Sequence, residues 1–507
     1  MQYSFKGTQF SVFPDIYEIL RNFRPNQQIR SRQTADFLVY AVFHSKKIPF
    51  LPMFLLSAIS AEIPFYLLIP FLVLIGLVAA GPVLFSHFWH TYYRHIAVVL
   101  GLVMAAYYLF VRQDYHMTVE TLADYASFAI LLGSLYVAAG GIYINVNLNA
   151  RPTFNVALLF TGAVLANIIG TTGASLLLIR PFIRVTIHHI KPYQIVFFIF
   201  IVSNAGGLLT PLGDPPLFIG FLKGVPFFWT LQHLILPWFI AVLSLCGIFY
   251  LIDRRNKERV FTPKPEVVER NEATTEFYVK GKRNLLWLGV ILIAIFIDPK
   301  VIDGVPYIAF EGMKISFVRE IIQLTAAFLC FRTASKTALQ GNHFTFAPIM
   351  EVVFLFFGIF FTMMPALQYT ANLASSPEFS QYLTPGTTYW ATGILSGFLD
   401  NAPTYANFLS LSMAKFGMNY SSFTDVQNFA YGIPNEVTYH LLEAISIGAV
   451  LFGAFSYIGN GPNFMVKAIA EEAGIKMPSF FKYIYAYSIP FLLPVLALVW
   501  LIVILLG

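Results

Sequence analysis

Two aspartates, Asp214 and Asp400, stand among glycines, prolines, asparagines and threonines inside otherwise apolar sequence. The first closes Ser203-Asn-Ala-Gly-Gly-Leu-Leu-Thr-Pro-Leu-Gly-Asp-Pro-Pro216, and the second opens Asp400-Asn-Ala-Pro-Thr404. A carboxylate at membrane depth costs ~2.5–3.5 kcal/mol on insertion scales, so each is a functional candidate by default. Desolvation favours the protonated acid and a bound cation favours the ionised one, which lets a proton and a cation compete for one group. The plainer role is an N-cap, since Pro215-Pro216 follow Asp214 and Ala402-Pro403 follow Asp400-Asn401; both roles can coexist.

The surroundings of the acids repeat. Gly207 and Gly213 are six residues apart, as are Gly453 and Gly459, and a hydroxyl residue, Thr210 or Ser456, follows the first glycine by three in both. Asp214 then overlies Asn460. Each motif is preceded by a second break, Asn167-Ile-Ile-Gly-Thr-Thr-Gly-Ala-Ser175 in one half and Asp400 to Thr404 in the other; with Thr171 laid over Thr404, Asn167 overlies Asp400. Gly and Pro open helices, and Asn, Thr and Ser offer neutral groups that bind and release an ion. Opened helices also expose N-termini that favour anions and carbonyl ends that favour cations. Close helix packing is the competing explanation for any one of these breaks.

These residues need a membrane framework to position them. Of 507 residues, 57% are hydrophobic, 17% aromatic and 11% charged, against about 25% charged in soluble domains. The composition predicts a polytopic membrane protein and excludes a soluble, disordered or disulfide-bonded chain. Cys246 and Cys330 fall in apolar runs and read as small buried side chains. Half of the 32 Lys and Arg lie either before residue 50 or between Asp253 and Arg283, a loop pattern and not a nucleic-acid patch. We therefore expect a polar extension with a signal-like or interfacial segment over 1–62, a first membrane repeat over 63–252, a basic cytoplasmic linker over 253–283 and a second repeat over 284–507. Expected spans include Ile63 to Phe85, Tyr125 to Ile144, Gln194 to Val202 and Tyr389 to Leu399; tracts near ten residues are too short to cross and read as half-helices or re-entrant hairpins. Glu351, Glu443 and His440 read as interfacial, and Arg180 and Arg184 as snorkelling anchors.

In combination, the three motifs, with Tyr457-Ile-Gly-Asn-Gly-Pro-Asn463 as the third, resemble the Putative citrate transport family and, more distantly, NhaD-type sodium:proton antiporters of the ion transporter superfamily. The resemblance runs from about Ile63 to the C-terminus. It implies an all-α polytopic fold of two inverted repeats, each with a re-entrant hairpin and a broken transmembrane helix, working as an elevator and commonly dimeric. Carried over by position, the first hairpin tip is Asn167, Thr171 and Thr172, and the first unwound helix gives Asn204, Thr210 and Asp214. The second tip is Asp400, Asn401 and Thr404, and the second unwound helix gives Ser456, Asn460 and Asn463. The dicarboxylate carriers of the superfamily have Ser-Asn-Thr at both tips, which this chain lacks.

The leading expectation is secondary active Na⁺/H⁺ antiport in a bacterial inner or plasma membrane, with Na⁺ held by Asp214, Asp400, Asn401 and Asn460. The alternative is Na⁺- or H⁺-coupled uptake of citrate or another organic anion. Neither needs a cofactor beyond the coupling ions, nor any partner beyond lipid, solute and a second copy. An intramembrane aspartyl protease fits poorly: Pro211 stands where its Gly-x-Gly-Asp needs glycine, and Pro365-Ala366-Leu367 precedes Asp400. Walker, His-Glu-x-x-His and Gly-x-Ser-x-Gly motifs do not occur, so an enzyme is not expected. A passive channel differs from these only in lacking stoichiometric coupling.

Overall fold

The computed structural model describes residues 63–145, 151–186, 190–256, 278–299, 302–311, 313–374, 376–432 and 438–505. The expected segment over 1–62 and the middle of the basic linker lie outside the described residues.

The first half carries α1 (Ile69–Leu84), α2 (Ser86–Ala106), α3 (Tyr115–Gly140), α4 (Pro152–Thr186), α5 (Pro192–Ile201), α6 (Pro215–Lys223) and α7 (Trp229–Arg254). The second carries α8 (Lys282–Ala294), α9 (Val318–Thr333), α10 (Ala347–Ala374), α11 (Pro385–Phe398), α12 (Asn401–Ala414), α13 (Phe423–Tyr431), α14 (Tyr439–Phe452) and α15 (Gly461–Glu472). A run of alternating α and π turns from Phe480 to Leu505 follows. Short helical segments at Phe65–Leu68, Tyr107–Arg112, Lys336–Gly341 and Pro377–Ser380 accompany them, with two short antiparallel ladders: β1 (Tyr143–Asn145) pairs with β2 (Tyr278–Lys280), and β3 (Ile308–Phe310) pairs with β4 (Met313–Ile315).

Eight helical segments of the described residues are long and apolar enough to cross a membrane, and the chain is an all-α polytopic membrane protein. Burial separates them. The window in α4 is 78% buried and the one over α5 is 83% buried, whereas Phe65–Pro82 and Phe480–Ile504 are each 28% buried. The interrupted segments are therefore the most enclosed, and the outer helices leave side chains such as Leu102 and Val103 exposed, as a lipid-facing surface requires.

Two expectations need correction. Helix α3 begins at Tyr115, ten residues before the expected Tyr125, because Asp114 caps it through the Met117 N–H at 3.0 Å and its early acids Glu120 and Asp124 are paired with Lys223. Glu443 is enclosed by protein and not exposed at a helix end. It is 8% exposed, its carboxylate held between His233 Nδ1 on α7 and His440 Nδ1 on its own helix, at 2.9 Å each.

Candidate functional site

Four chain breaks meet at the centre. Helix α4 is a hairpin whose arms, residues 152–169 and 171–186, part at Gly170; its φ of 78° lies in the left-handed region that glycine alone adopts without strain. The second hairpin is α11 and α12, parted by extended backbone at Leu399 and Asp400.

The two remaining breaks share one backbone path. After α5 comes a 3₁₀ turn (Ala205–Leu209), then Thr210 at φ −136° and ψ 155°, then Asp214 at φ −144° and ψ 146° as the cap of α6. After α14 comes a 3₁₀ turn (Gly453–Phe455), then Ser456 at φ −138° and ψ 174°, then Asn460 at φ −155° and ψ 141° as the cap of α15. The shared glycine spacing has a steric cause, because each loop closes on itself. A Cβ on Gly207 would lie 2.7 Å from the Gly213 carbonyl oxygen, and one on Gly459 would lie 2.6 Å from that of Gly453.

Asp214, 1% exposed, is the hub. Its Oδ1 accepts from Thr171 Oγ1 at 2.8 Å and from Asn460 Nδ2 at 2.8 Å, and its Oδ2 accepts from Asn401 Nδ2 at 2.6 Å. Thr171 follows the break in the first hairpin, Asn401 opens the second arm of the other, and Asn460 caps α15. Helix N-termini at Thr171, Asn401, Pro215 and Gly461 thus gather round one carboxylate, and their dipoles favour negative charge there. The Thr171 N–H itself donates to the Gly213 carbonyl at 2.8 Å.

A brace of amides runs behind the hub. Asn460 Nδ2 also reaches Asn204 Oδ1 and the Ser203 carbonyl, at 3.2 Å each. Asn204 Nδ2 donates to Asn463 Oδ1 at 2.7 Å, and Asn463 Nδ2 donates to the carbonyls of Gly453 at 2.7 Å and Ser456 at 2.9 Å. The brace joins the two broken loops, and Ser175 adds a hydroxyl contact to Ser203 at 2.7 Å. Ser175 and Ser203 stand within the motifs without having been singled out as site residues.

The remaining expected site residues divide. Asn167 and Thr210 tie the first hairpin to the adjacent loop: Asn167 Oδ1 accepts from the Leu209 N–H at 2.9 Å, and Thr210 Oγ1 donates to the Asn167 carbonyl at 2.6 Å. Thr172, half-buried, lines a small hollow of about 20 Å³ with Gly170, Thr171 and Gly213. Thr404 Oγ1 turns back to the Asp400 carbonyl at 2.9 Å, and Ser456 Oγ accepts from the Ile458 N–H at 3.2 Å.

Asp400 differs from Asp214 in kind. Its Oδ1 accepts from the Ala402 N–H at 3.0 Å, so its carboxylate caps its own helix, whereas the Asp214 side chain makes no capping bond. The hairpin overlay of Thr171 on Thr404 also shifts by three residues. Counted from the breaks, Thr171 corresponds to Asn401, and these two share Asp214.

A family profile described as "Putative citrate transport" matches residues 60–504, and the chain belongs to that family. It is an integral, multi-pass membrane transporter. No curated protein matches the chain in sequence.

Proposed function

We propose that the protein is a secondary active transporter of a carboxylate-bearing organic anion of the citrate class, with Asp214 as its coupling group. The convergence of four helix N-termini and three neutral donors on one carboxylate carries this reading. Such a constellation recognises a carboxylate, and Asp214 occupies it as an internal substitute. Protonation of Asp214, or a cation beside it, weakens its hold on Thr171, Asn401 and Asn460 and frees those donors for a solute carboxylate. Coupling to H⁺ or Na⁺ follows, because an anion beside an unneutralised Asp214 is repelled.

One observation favours Na⁺/H⁺ antiport at the same centre. Among the described residues Asn401 Oδ1 is buried beside Asp214 without a hydrogen-bond partner, an oxygen available to a small cation together with Asp214. The proposal extends to two inverted repeats whose hairpins and broken helices travel together as an elevator within a homodimer, in a bacterial inner or plasma membrane.

Flux in proteoliposomes tests both readings. Under an imposed pH gradient, with Na⁺, Li⁺ or K⁺ supplied in turn, labelled citrate is expected to accumulate. Na⁺-driven proton flux without any organic anion, and without citrate uptake, establishes antiport instead.

A further inference from the structure

Arg180 and Arg184 stand one turn apart on the second arm of α4, and the fold uses them differently. Arg184 is tied down. Its Nη1 donates to Tyr143 Oη, its Nη2 donates to the Ile144 carbonyl at 3.2 Å, and its guanidinium lies 5.1 Å from the centroid of the Tyr143 ring. Arg180 is held more loosely: its Nη2 lies 3.9 Å from Glu472 Oε2 at the end of α15, and among the described residues its Nη1 is buried without a hydrogen-bond partner. A snorkelling arginine keeps its head in water, whereas the Arg180 side chain is 17% exposed. A buried guanidinium nitrogen without an acceptor is costly, and it marks a place that an anionic oxygen would satisfy.

Two helix faces connect that place to the hollow beside Thr171. Thr172, Leu176 and Arg180 recur at four-residue intervals and so share one face of the arm. Thr172 lines the hollow; Tyr136 of α3 lines it as well, and is also an electrostatic neighbour of Arg180. Between them Leu176 packs with Tyr136 and Ile349, against Met465 of α15. Met465 and Glu472 are two turns apart, again on one helix face. The order is therefore a hollow at Thr172, an apolar stopper of Leu176, Tyr136, Ile349 and Met465, and then Arg180 with Glu472 beyond it. Along the arm Arg180 stands about 12 Å from Thr172 at 1.5 Å per residue, too far for one citrate-sized anion to touch both.

Glu472 is a displaceable partner. Its side chain is 68% exposed and its contact with Arg180 is longer than a hydrogen bond, and exposed ion pairs of this kind add little stability. A free carboxylate can accept from two nitrogens of the guanidinium fork in parallel.

We propose that Arg180 captures the solute: it binds a carboxylate of the organic anion in place of Glu472, before the anion passes the apolar stopper to the donors around Asp214. The proposal rests on the organic-anion reading above. Citrate uptake into proteoliposomes, with a thermal melt of each protein, is measured for the wild type, Arg180→Gln, Arg180→Lys and Glu472→Gln. Arg180→Gln should raise the apparent KM about tenfold, with the loss in KM and not in the maximal rate, because the donors at Asp214 are untouched. Arg180→Lys keeps the charge without the fork and should fall between it and the wild type. Glu472→Gln removes the competitor and should lower KM several-fold, a gain that lost packing does not produce. An unchanged KM in Arg180→Gln overturns the capture role while leaving the organic-anion reading in place; where that variant does not fold, an unchanged KM in Glu472→Gln does the same. A wild type that accumulates no citrate overturns the reading itself, and the capture role with it.

Discussion

Asn401 donates its side-chain amide to Asp214 at 2.6 Å across 187 residues of sequence, joining the tip of the second hairpin to the broken helix of the first half. Hydrogen bonds to a charged group contribute about 1.5–3 kcal/mol. Asn401→Ala is therefore expected to lower unfolding stability by about 2 kcal/mol and to reduce solute flux at least tenfold. Asp214→Asn keeps the shape but replaces a carboxylate able to accept three donors with an amide that must donate as well, and flux should fall to background. Thermal melts and proteoliposome uptake on the two variants check both outcomes. Wild-type flux in Asp214→Asn would remove this residue from the coupling step.

Asp400 separates capping from coupling. Its bond to the Ala402 N–H can be made by an asparagine oxygen, so Asp400→Asn should melt as the wild type does. Asp400→Ala loses the cap and about 1 kcal/mol. Because Asp214 rather than Asp400 gathers the site's donors, Asp400→Asn is expected to keep more than half of wild-type flux. Complete loss of flux in a variant of unchanged Tm would make Asp400 a second carrier of charge.

The breaks were legible in the sequence because glycine and proline mark them chemically. The six-residue glycine spacing exists because each loop folds back on its own carbonyl, and the same constraint acts at Gly207–Gly213 and Gly453–Gly459. The partners were not legible. Asp214 finds Asn460 at a separation of 246 residues and Asn204 finds Asn463 at 259, and nothing local to either residue encodes the other. The threonines misled the hairpin overlay for a related reason. Thr171 and Thr404 share a type, but Thr404 bonds back within its own helix, and Asn401 is the residue that stands first after its break, as Thr171 does. Helix α3 begins ten residues before the apolar run that starts at Tyr125, and a lysine 103 residues away along the chain is what pairs with Glu120 in that added stretch.

The loop closures predict a contrast between two glycines two residues apart. A Cβ at Gly459 would meet the Gly453 carbonyl oxygen at 2.6 Å and that of Ser396 at 2.8 Å, both backbone atoms with little room to move. At Gly461 it would meet nothing within 4 Å. Gly459→Ala should cost about 1–3 kcal/mol through overpacking and displace Asn460 from Asp214. Gly461→Ala should melt and transport as the wild type, since φ at that position needs no glycine. Equal melting of both variants would show that the loop yields more readily than its backbone contacts imply.

Asp253 tests whether a buried carboxylate in this fold must be part of the transport chemistry. It is fully buried near the end of α7, accepting from Tyr193 Oη at 2.7 Å and Gln194 Nε2 at 3.0 Å through Oδ1, and from Asn155 Nδ2 at 3.1 Å through Oδ2. These donors lie in the first turns of α4 and α5, so Asp253 ties the entrance of the first hairpin and the start of the first broken helix to α7. Removing the acceptor strands three donors, each costing about 1–3 kcal/mol when buried without a partner. Asp253→Ala should accordingly lose about 3 kcal/mol or more of stability, while the protein that does fold keeps its apparent KM for the solute. Asp214→Asn should show the opposite division, with flux lost and Tm changed less. The two melts and two uptake curves, measured together, distinguish an aspartate that holds the scaffold from one that meets the solute.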